Sequence, residues 1–228
     1  MLTSLDLTFP THPSSLADAV VVAVRDAVSA GQLVPGEIYS VYQLAELLGV
    51  SRSPVREAIT RLADAGLVQI ARNRGFQVVV PSARDVDEII DIRIVLEGMA
   101  VRRAAEYSTE AQLAHLREAL KVMEVAARVN DEAAFWPADR ALHDALLQAA
   151  GNARAAGVVG QLRATLALLG PPTTACGRTL AQIYAEHVPV VTAVIARDGV
   201  TAEREMRAHL EATGRLLRTQ CSTPAHPN

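Results

Sequence analysis

The spacing of apolar and polar residues changes near residue 81, and the two parts of the chain predict different structures. Before that point, apolar positions and capping residues indicate short helices at 15–30, 43–48 and 53–65, then two β-prone runs at 67–71 and 76–80. After it there is no strand-like alternation, and the pattern predicts helices at 83–106, 110–128, 132–150, 153–168, 179–197 and 201–219. The polar run from Arg72 to Gly75 lies between the β-prone runs and predicts a hairpin with a basic tip.

Two helices joined by a turn and followed by a β-hairpin form a winged helix-turn-helix. The expected fold class is therefore mainly α, with that domain first and an all-α bundle of about six helices second. We expect a loose arm at 1–13, the winged domain at 14–80, a linker at 81–84, the helical domain at 85–220 and a flexible tail at 221–228. Pro137 and Pro189 fall inside the helical pattern, and each predicts a kink or a later helix start.

The overall composition does not indicate a nucleic-acid partner, because the 228 residues carry a net charge of −3. Locally the balance differs: the stretch from Val50 to Gly75 holds five arginines against two carboxylates. Cys176 and Cys221 form no disulfide framework, which fits a reducing cytoplasm. No signal sequence or membrane span is predicted, so we expect a cytoplasmic protein that does not bind membranes.

The predicted helix after Gly49 carries two arginines on one face. Arg52 and Arg56 are four residues apart at the start of this helix, where a helix that enters the major groove contacts bases. Arginine can make a forked contact to guanine, and Ser51 and Ser53 can donate to phosphates. The alternative is an ordinary solvated helix in which Arg56 pairs with nearby carboxylates, but the spacing favours DNA binding.

The wider motif resembles the winged-helix domain of GntR-type bacterial transcription regulators. The matching residues are Gly31, Pro35-Gly36, Leu44-Ala45, Leu48 to Ile59 (L-G-V-S-R-S-P-V-R-E-A-I), Leu62, Gly66-Leu67-Val68, Arg74-Gly75 and Val78. This resemblance implies base contacts from Arg52 and Arg56 and a contact from Arg74 at the tip of the wing, where Arg72 and Gly75 also lie. Tyr42 stands where members of the family often carry a basic residue.

The predicted helical domain contains Asp139 and three histidines that could share a metal ion. Asp139 and His143 are four residues apart on one predicted helix, and His187 and His209 lie on the last two. One carboxylate and three imidazoles suit Zn²⁺, Ni²⁺, Mn²⁺ or Fe²⁺ and suit Ca²⁺ poorly. Histidines so far apart are more often surface or satisfied core residues, so spacing alone does not favour a shared site.

The helical region also resembles the FCD effector domain of the FadR-like subgroup of that family. The matching residues are Arg93 and Glu97, Asp139 to His143 (D-R-A-L-H), Ala149 to Asn152 (A-A-G-N), Glu186-His187 and His209-Leu210. The resemblance implies that Asp139, His143, His187 and His209 hold one divalent metal, for which we expect Zn²⁺ first. Arg93 and Glu97 form either a plain intrahelical ion pair, or a pair in which Arg93 holds an effector carboxylate.

These patterns predict a DNA-binding transcription regulator, and a repressor first, rather than an enzyme. It would bind an inverted-repeat operator in double-stranded DNA as a homodimer and respond to a small organic acid. One alternative is a DNA-binding dimer whose bundle holds a structural metal or none and senses no ligand. A remoter alternative is a metal-dependent hydrolase, for which Glu186 beside His187 is the nearest candidate base.

Overall fold

The computed structural model describes residues 15–29, 32–64, 66–79, 82–169 and 173–222. The chain forms two compact units: the first contains the described residues up to Ser82, and the second begins at Ala83. The second unit includes the seventh helix as far as Arg163. The predicted arm at 1–13, Pro81 of the predicted linker, and His12 and His226 lie outside the described residues.

The first unit consists of three helices and a small sheet. The helices are α1 (Leu16–Ser29), α2 (Val41–Leu47) and α3 (Arg52–Asp64), and the strands are β1 (Ile38–Tyr39), β2 (Val68–Ala71) and β3 (Gly75–Val78). The sheet is antiparallel in the order β1-β3-β2, and it pairs Tyr39 with Phe76 and Ile70 with Phe76. A helix-turn-helix followed by a β-hairpin is thus present, as the sequence predicts.

Apolar burial holds the helix-turn-helix in place. Leu44, Val55, Leu62 and Phe76 are all almost completely buried and belong to one continuous core. Between α2 and α3 the chain turns at Gly49, whose φ is +65°, a backbone conformation that glycine adopts without a steric penalty. The N–H of Val50 then donates to the carbonyl of Ala45 over 3.0 Å and closes the turn.

The second unit is helical throughout its described residues. Its elements are α4 (Ala83–Tyr107), α5 (Glu110–Arg128), α6 (Glu132–Ala149), α7 (Ala153–Leu169), a 3-10 turn (Thr173–Cys176), α8 (Leu180–Ile195) and α9 (Gly199–Ser222). Helices α4 and α9 approach closely at Gly214, where an added Cβ would lie 3.1 Å from Ile90 Cγ1. Among the described residues, no helix combines the length and apolar character that crossing a membrane requires.

The observed helices correspond to the six predicted for the second unit, with a few differences at their ends. Both α6 and α8 run through their prolines, so the later start considered for Pro137 and Pro189 is wrong. Asp131 and Thr179 cap these helices by accepting backbone N–H groups, which fixes their starts upstream of the prolines. Helix α2 begins at Val41 rather than residue 43, because Ser40 caps it, and α9 extends two residues into the predicted tail.

The wing depends on Gly75. Its φ is +126°, and an added Cβ would lie 2.0 Å from the carbonyl oxygen of Tyr39 on the neighbouring strand. Because that atom belongs to the backbone, no side-chain rotation relieves the clash. We expect Gly75→Ala to destabilise the first unit by roughly 2–4 kcal/mol, measured by urea denaturation with hydrogen exchange at β1 and β3.

Gly160→Ala is the matched control for this prediction. Gly160 lies in α7 with nothing within 4 Å of an added Cβ, and its φ is not positive. Alanine should stabilise that helix by roughly 0.5–1 kcal/mol. An equal, small effect of both substitutions would contradict the role assigned to Gly75.

Candidate metal centre and nucleic-acid interface

The sequence-predicted DNA contacts lie on one exposed end of α3. Ser51, Arg52, Ser53 and Arg56 are exposed, whereas Val55 on the opposite face is fully buried. In the described part of the chain, neither Arg52 nor Arg56 forms an ion pair. Both guanidinium groups therefore lie in solvent without a carboxylate partner among the described residues.

Arg61, on the same helix, is engaged in ion pairs. It pairs with Asp18 of α1 over 2.7 Å and with Glu57, so this carboxylate of α3 is paired with Arg61 rather than with Arg56. The ordinary ion pair considered for Arg56 is therefore not formed among the described residues.

Tyr42, the residue that departs from the family pattern, contacts the reading helix. The Arg52 guanidinium lies over the Tyr42 ring, 5.4 Å from its centroid, and the tyrosine is 58% exposed. Such a cation–π contact limits the conformations that the arginine side chain samples. The tyrosine therefore orients Arg52.

The tip of the wing is basic and tightly turned. Arg72 and Arg74 are exposed on either side of Asn73, whose φ is +61°. Asparagine tolerates this left-handed conformation better than most residues. Two cations are thus held at the end of a short, rigid hairpin.

In the bundle, three histidines from different helices meet. His143 lies on α6, His187 on α8 and His209 on α9, and one ring nitrogen of each lies within 4.8 Å of the other two. All three are buried, with at most 6% of the residue exposed. The Oδ1 atom of Asp139 lies 3.3 Å from His187 Nε2 and 4.0 Å from His143 Nε2. The structure thus brings the three histidines together, and Asp139, the fourth residue implied by the family resemblance, lies beside two of them.

Each imidazole is held from behind through Nδ1. His143 Nδ1 contacts Glu97 Oε2 over 2.6 Å, His187 Nδ1 contacts the Ile183 carbonyl over 2.8 Å, and His209 Nδ1 contacts Glu186 Oε2 over 2.9 Å. Carbonyl and carboxylate oxygens only accept, so each Nδ1 carries the proton. In the neutral ring, each Nε2 then carries a lone pair.

These lone pairs face one another. His143 Nε2 and His187 Nε2 are 3.1 Å apart, and the Asp139 carboxylate approaches both. Acceptors at this distance repel unless a donor or a cation lies between them. Tetrahedral Zn²⁺ with bonds of about 2.0–2.1 Å places its ligand atoms about 3.4 Å apart, so the arrangement fits a small divalent cation.

Burial and neighbouring charges hold His187, His209 and Asp139 in the protonation states that a metal needs. It lowers the pKa of His187 to about 4, although Asp139 opposes the shift, and it lowers the pKa of His209 well below its usual value. Burial alone would raise the pKa of Asp139, but His143, His187 and Arg163 hold that pKa below its usual value. Neutral imidazoles and an ionised carboxylate are the ligand forms required.

Three arginines that surround the centre each pair with one carboxylate. Arg163 Nη2 donates to Asp139 Oδ2 over 2.8 Å, Arg93 Nε donates to Glu97 Oε1 over 2.7 Å, and Arg178 pairs with Glu186. The three positive charges balance the three negative ones. A divalent ion would therefore give this centre a net positive charge.

The sequence did not assign roles to Arg163 and Arg178. The only hint of Arg163 was its position as one of two charged residues in helix α7, whose other residues are uncharged. Arg178 directly precedes the capping residue Thr179 and donates to Thr213 Oγ1 over 3.2 Å. Nothing in its local sequence indicates this contact, which joins residues distant along the chain.

A surface groove of about 520 Å³ lies beside this arginine. It is lined by residues of the α8 start and the α9 end, including Gly177, Arg178, Gln182, Glu186, Ala212 and Leu216. The groove therefore borders the residues that hold His209 from behind, and the histidines themselves do not line it.

Comparison with known families matches both units. Residues 16–78 match the family of bacterial regulatory proteins called the gntR family, and residues 88–212 match the FCD domain. The second match covers more than half of the chain.

Similar proteins are transcription regulators. The repressor RspR of Escherichia coli K12 is 30% identical over 186 residues, which cover 82% of each chain. A probable D-xylose utilization operon repressor of Paenarthrobacter nicotinovorans is 31% identical over 215 residues, covering 92% of this chain and 90% of that one.

A solved structure of Escherichia coli McbR/YncC superimposes with a TM-score of 0.67. It is 27% identical and covers 90% of this chain and 98% of that chain. The exposed arginines of a winged helix-turn-helix, the helical bundle of the second unit and these matches lead to one conclusion: the chain belongs to the GntR family of bacterial transcription regulators and carries an FCD domain.

Proposed function

We propose that this protein is a cytoplasmic, metabolite-responsive repressor that binds an inverted-repeat operator as a homodimer. The FCD bundle holds a divalent metal, Zn²⁺ first, and a small organic acid binds there as the effector. The observation that carries the proposal is the convergence of three buried imidazoles beside the Asp139 carboxylate, because these groups form a ligand set that suits a divalent cation.

The exposed arginines of α3 support operator reading. Arg52 and Arg56 contact base edges in the major groove, while Ser51, Ser53 and the wing residues Arg72, Arg74 and Gly75 contact the phosphate backbone or the minor groove. RspR and the Paenarthrobacter protein are both named repressors, which favours repression over activation.

The charge balance supports an anionic effector. Without metal the three arginines and three carboxylates cancel, and a divalent cation adds two positive charges. The one bond that the described residues give Arg93 uses its Nε, so its Nη groups can donate to an effector carboxylate. When bound, the metal supplies Lewis acidity toward an oxygen of the effector.

An effector changes operator affinity only if it binds the DNA-competent and the DNA-incompetent states differently. The centre suits this role because its ligands come from α6, α8 and α9, so occupation by metal and effector constrains three helices together.

The exposed face of α4 supports a two-fold dimer. Ile92, Val95 and Met99 form an apolar stripe there, with Val95 66% exposed. Glu88 lies seven residues before Val95 and Arg102 seven after it. Two antiparallel copies of α4 that cross at Val95 would therefore bring Glu88 of one chain level with Arg102 of the other.

The reading-helix assignment predicts a loss of operator-specific binding in the double variant Arg52→Ala with Arg56→Ala. Two forked guanine contacts at about 1–3 kcal/mol each imply a loss of roughly 30-fold or more. The probe is a duplex selected from random sequences by the wild-type protein, and the measurement is fluorescence anisotropy at fixed salt. The exposed α5 arginines offer a charge-matched control, Arg117→Ala with Arg128→Ala, which should bind normally; equal affinities for all three proteins would remove the assignment.

The metal-centre assignment predicts stoichiometric Zn²⁺ binding that depends on the buried histidines. His209→Ala should weaken it more than 100-fold, since loss of an outer partner alone costs about 10–100-fold. The exposed His115→Ala is the control and should bind like wild type. Competition with a chromophoric chelator measures the affinities.

A thermal-shift screen of small mono- and dicarboxylates, with and without Zn²⁺, tests the effector in the same proteins. A ligand at 100 times its Kd stabilises by about 2.7 kcal/mol, so a true effector gives a clear, metal-dependent shift. Stoichiometric metal without any carboxylate response would instead establish the purely structural alternative.

The dimer assignment predicts that Val95→Glu converts the protein from twice its chain mass of 24.3 kDa to a monomer. Burying a carboxylate at the centre of an apolar contact is unfavourable unless it is paired. Val125→Glu, on the exposed face of α5, is the matched control and should leave the dimer intact in sedimentation velocity. A dimer in both variants would place the interface elsewhere.

A further inference from the structure

Glu97 is a buried carboxylate that no DNA-binding or ligand role explains. It lies in the middle of α4 and is 1% exposed. Its two oxygens have different partners: Oε1 accepts from Arg93 Nε over 2.7 Å, and Oε2 accepts from His143 Nδ1 over 2.6 Å. The carboxylate therefore links an arginine of its own helix to a histidine of α6.

A contribution to folding stability does not explain the buried Arg93–Glu97 ion pair. A buried ion pair gains little net free energy, because desolvation of both charges offsets their attraction, and apolar replacements are often neutral or stabilising. An intrahelical Arg–Glu pair serving only the helix would lie in solvent, as Arg84 and Glu88 do. The buried position of Glu97 instead coincides with the back of one imidazole.

Glu97 does not itself reach the metal position. Its Oε2 atom lies on the Nδ1 side of the His143 ring, whereas the Nε2 atom on the other side faces His187 and Asp139. A side chain behind the ring can act on a metal only through the ring.

We infer that Glu97 is a positioning residue, which fixes His143 as its Nδ1–H tautomer and directs the Nε2 lone pair into the centre. Arg93 orients the carboxylate from the opposite oxygen. This inference rests on the proposed metal centre. Arg93 would thus orient the Glu97 carboxylate in addition to making the proposed contact to an effector.

The three histidines predict a ranking of their outer partners. His187 uses a backbone carbonyl, which substitution cannot remove. His209 uses Glu186, whose side chain is 30% exposed, so water can replace part of its contact. Glu97 is almost fully buried, so solvent cannot replace a hydrogen bond that its carboxylate fails to make. Loss of Glu97 should therefore weaken metal binding more than loss of Glu186.

The test compares Zn²⁺ affinity in three full-length variants by chelator competition. Glu97→Gln keeps the side-chain volume but cannot accept from both partners, and we expect a 10–100-fold loss. Glu186→Gln should lose less. Glu211→Gln removes an exposed carboxylate in an i,i+4 pair with Arg207, and it should match wild type. Wild-type affinity in Glu97→Gln, or a larger loss in Glu186→Gln, overturns the inference.

A second measurement uses the wild-type chain and does not depend on a variant folding. In histidine-labelled ¹⁵N spectra of the Zn²⁺-loaded protein, His143 should show a protonated Nδ1 and a metal-bound Nε2. Binding through Nδ1 overturns the inference while leaving the metal centre intact. If the wild-type protein binds no metal at all, the proposed centre fails, and the role of Glu97 fails with it.

Discussion

The meeting of buried ring nitrogens beside the Asp139 carboxylate is the constraint on which the FCD bundle depends. His143 Nε2, His187 Nε2 and Asp139 Oδ1 lie 3.1–4.0 Å from one another. Polar atoms this close in a buried site are costly unless a proton or a cation lies between them. Each group of the centre has a further partner in the bundle. The Nδ1 atoms of the three histidines contact Glu97, the Ile183 carbonyl and Glu186, and the Asp139 carboxylate accepts from Arg163. The packing of α4, α6, α8 and α9 brings these contacts together.

The two units treat their arginines differently. The first unit presents its arginines to solvent on a short helix held by an apolar core, and only Tyr42 constrains Arg52. The second unit instead shields three arginines, Arg93, Arg163 and Arg178, each paired with a carboxylate. Exposed arginines suit the binding of a polyanion from solution. Arginines that are already paired with carboxylates suit a centre whose net charge changes only when an ion binds.

Much of this structure could be predicted from the sequence, because local signals determined it. Capping residues and glycines marked the helix ends, and the i,i+4 spacing of Asp139 and His143 put both on one face. What could not be predicted depends on packing between distant segments. Pro137 gave the signal of a later helix start, but Asp131 caps α6 upstream. Arg163 and Arg178 reach partners 24 and 8 residues away in sequence, and no local pattern encodes those contacts.

The neutrality of the arginine and carboxylate pairs has a consequence for signalling. On the proposed function, an organic acid that enters the metal-free bundle meets no net attraction, and the same acid meets two positive charges once a cation is present. The protein would then respond only when the metal and the metabolite are both present. A cell starved of the metal would keep its operator state unchanged however much of the acid accumulated.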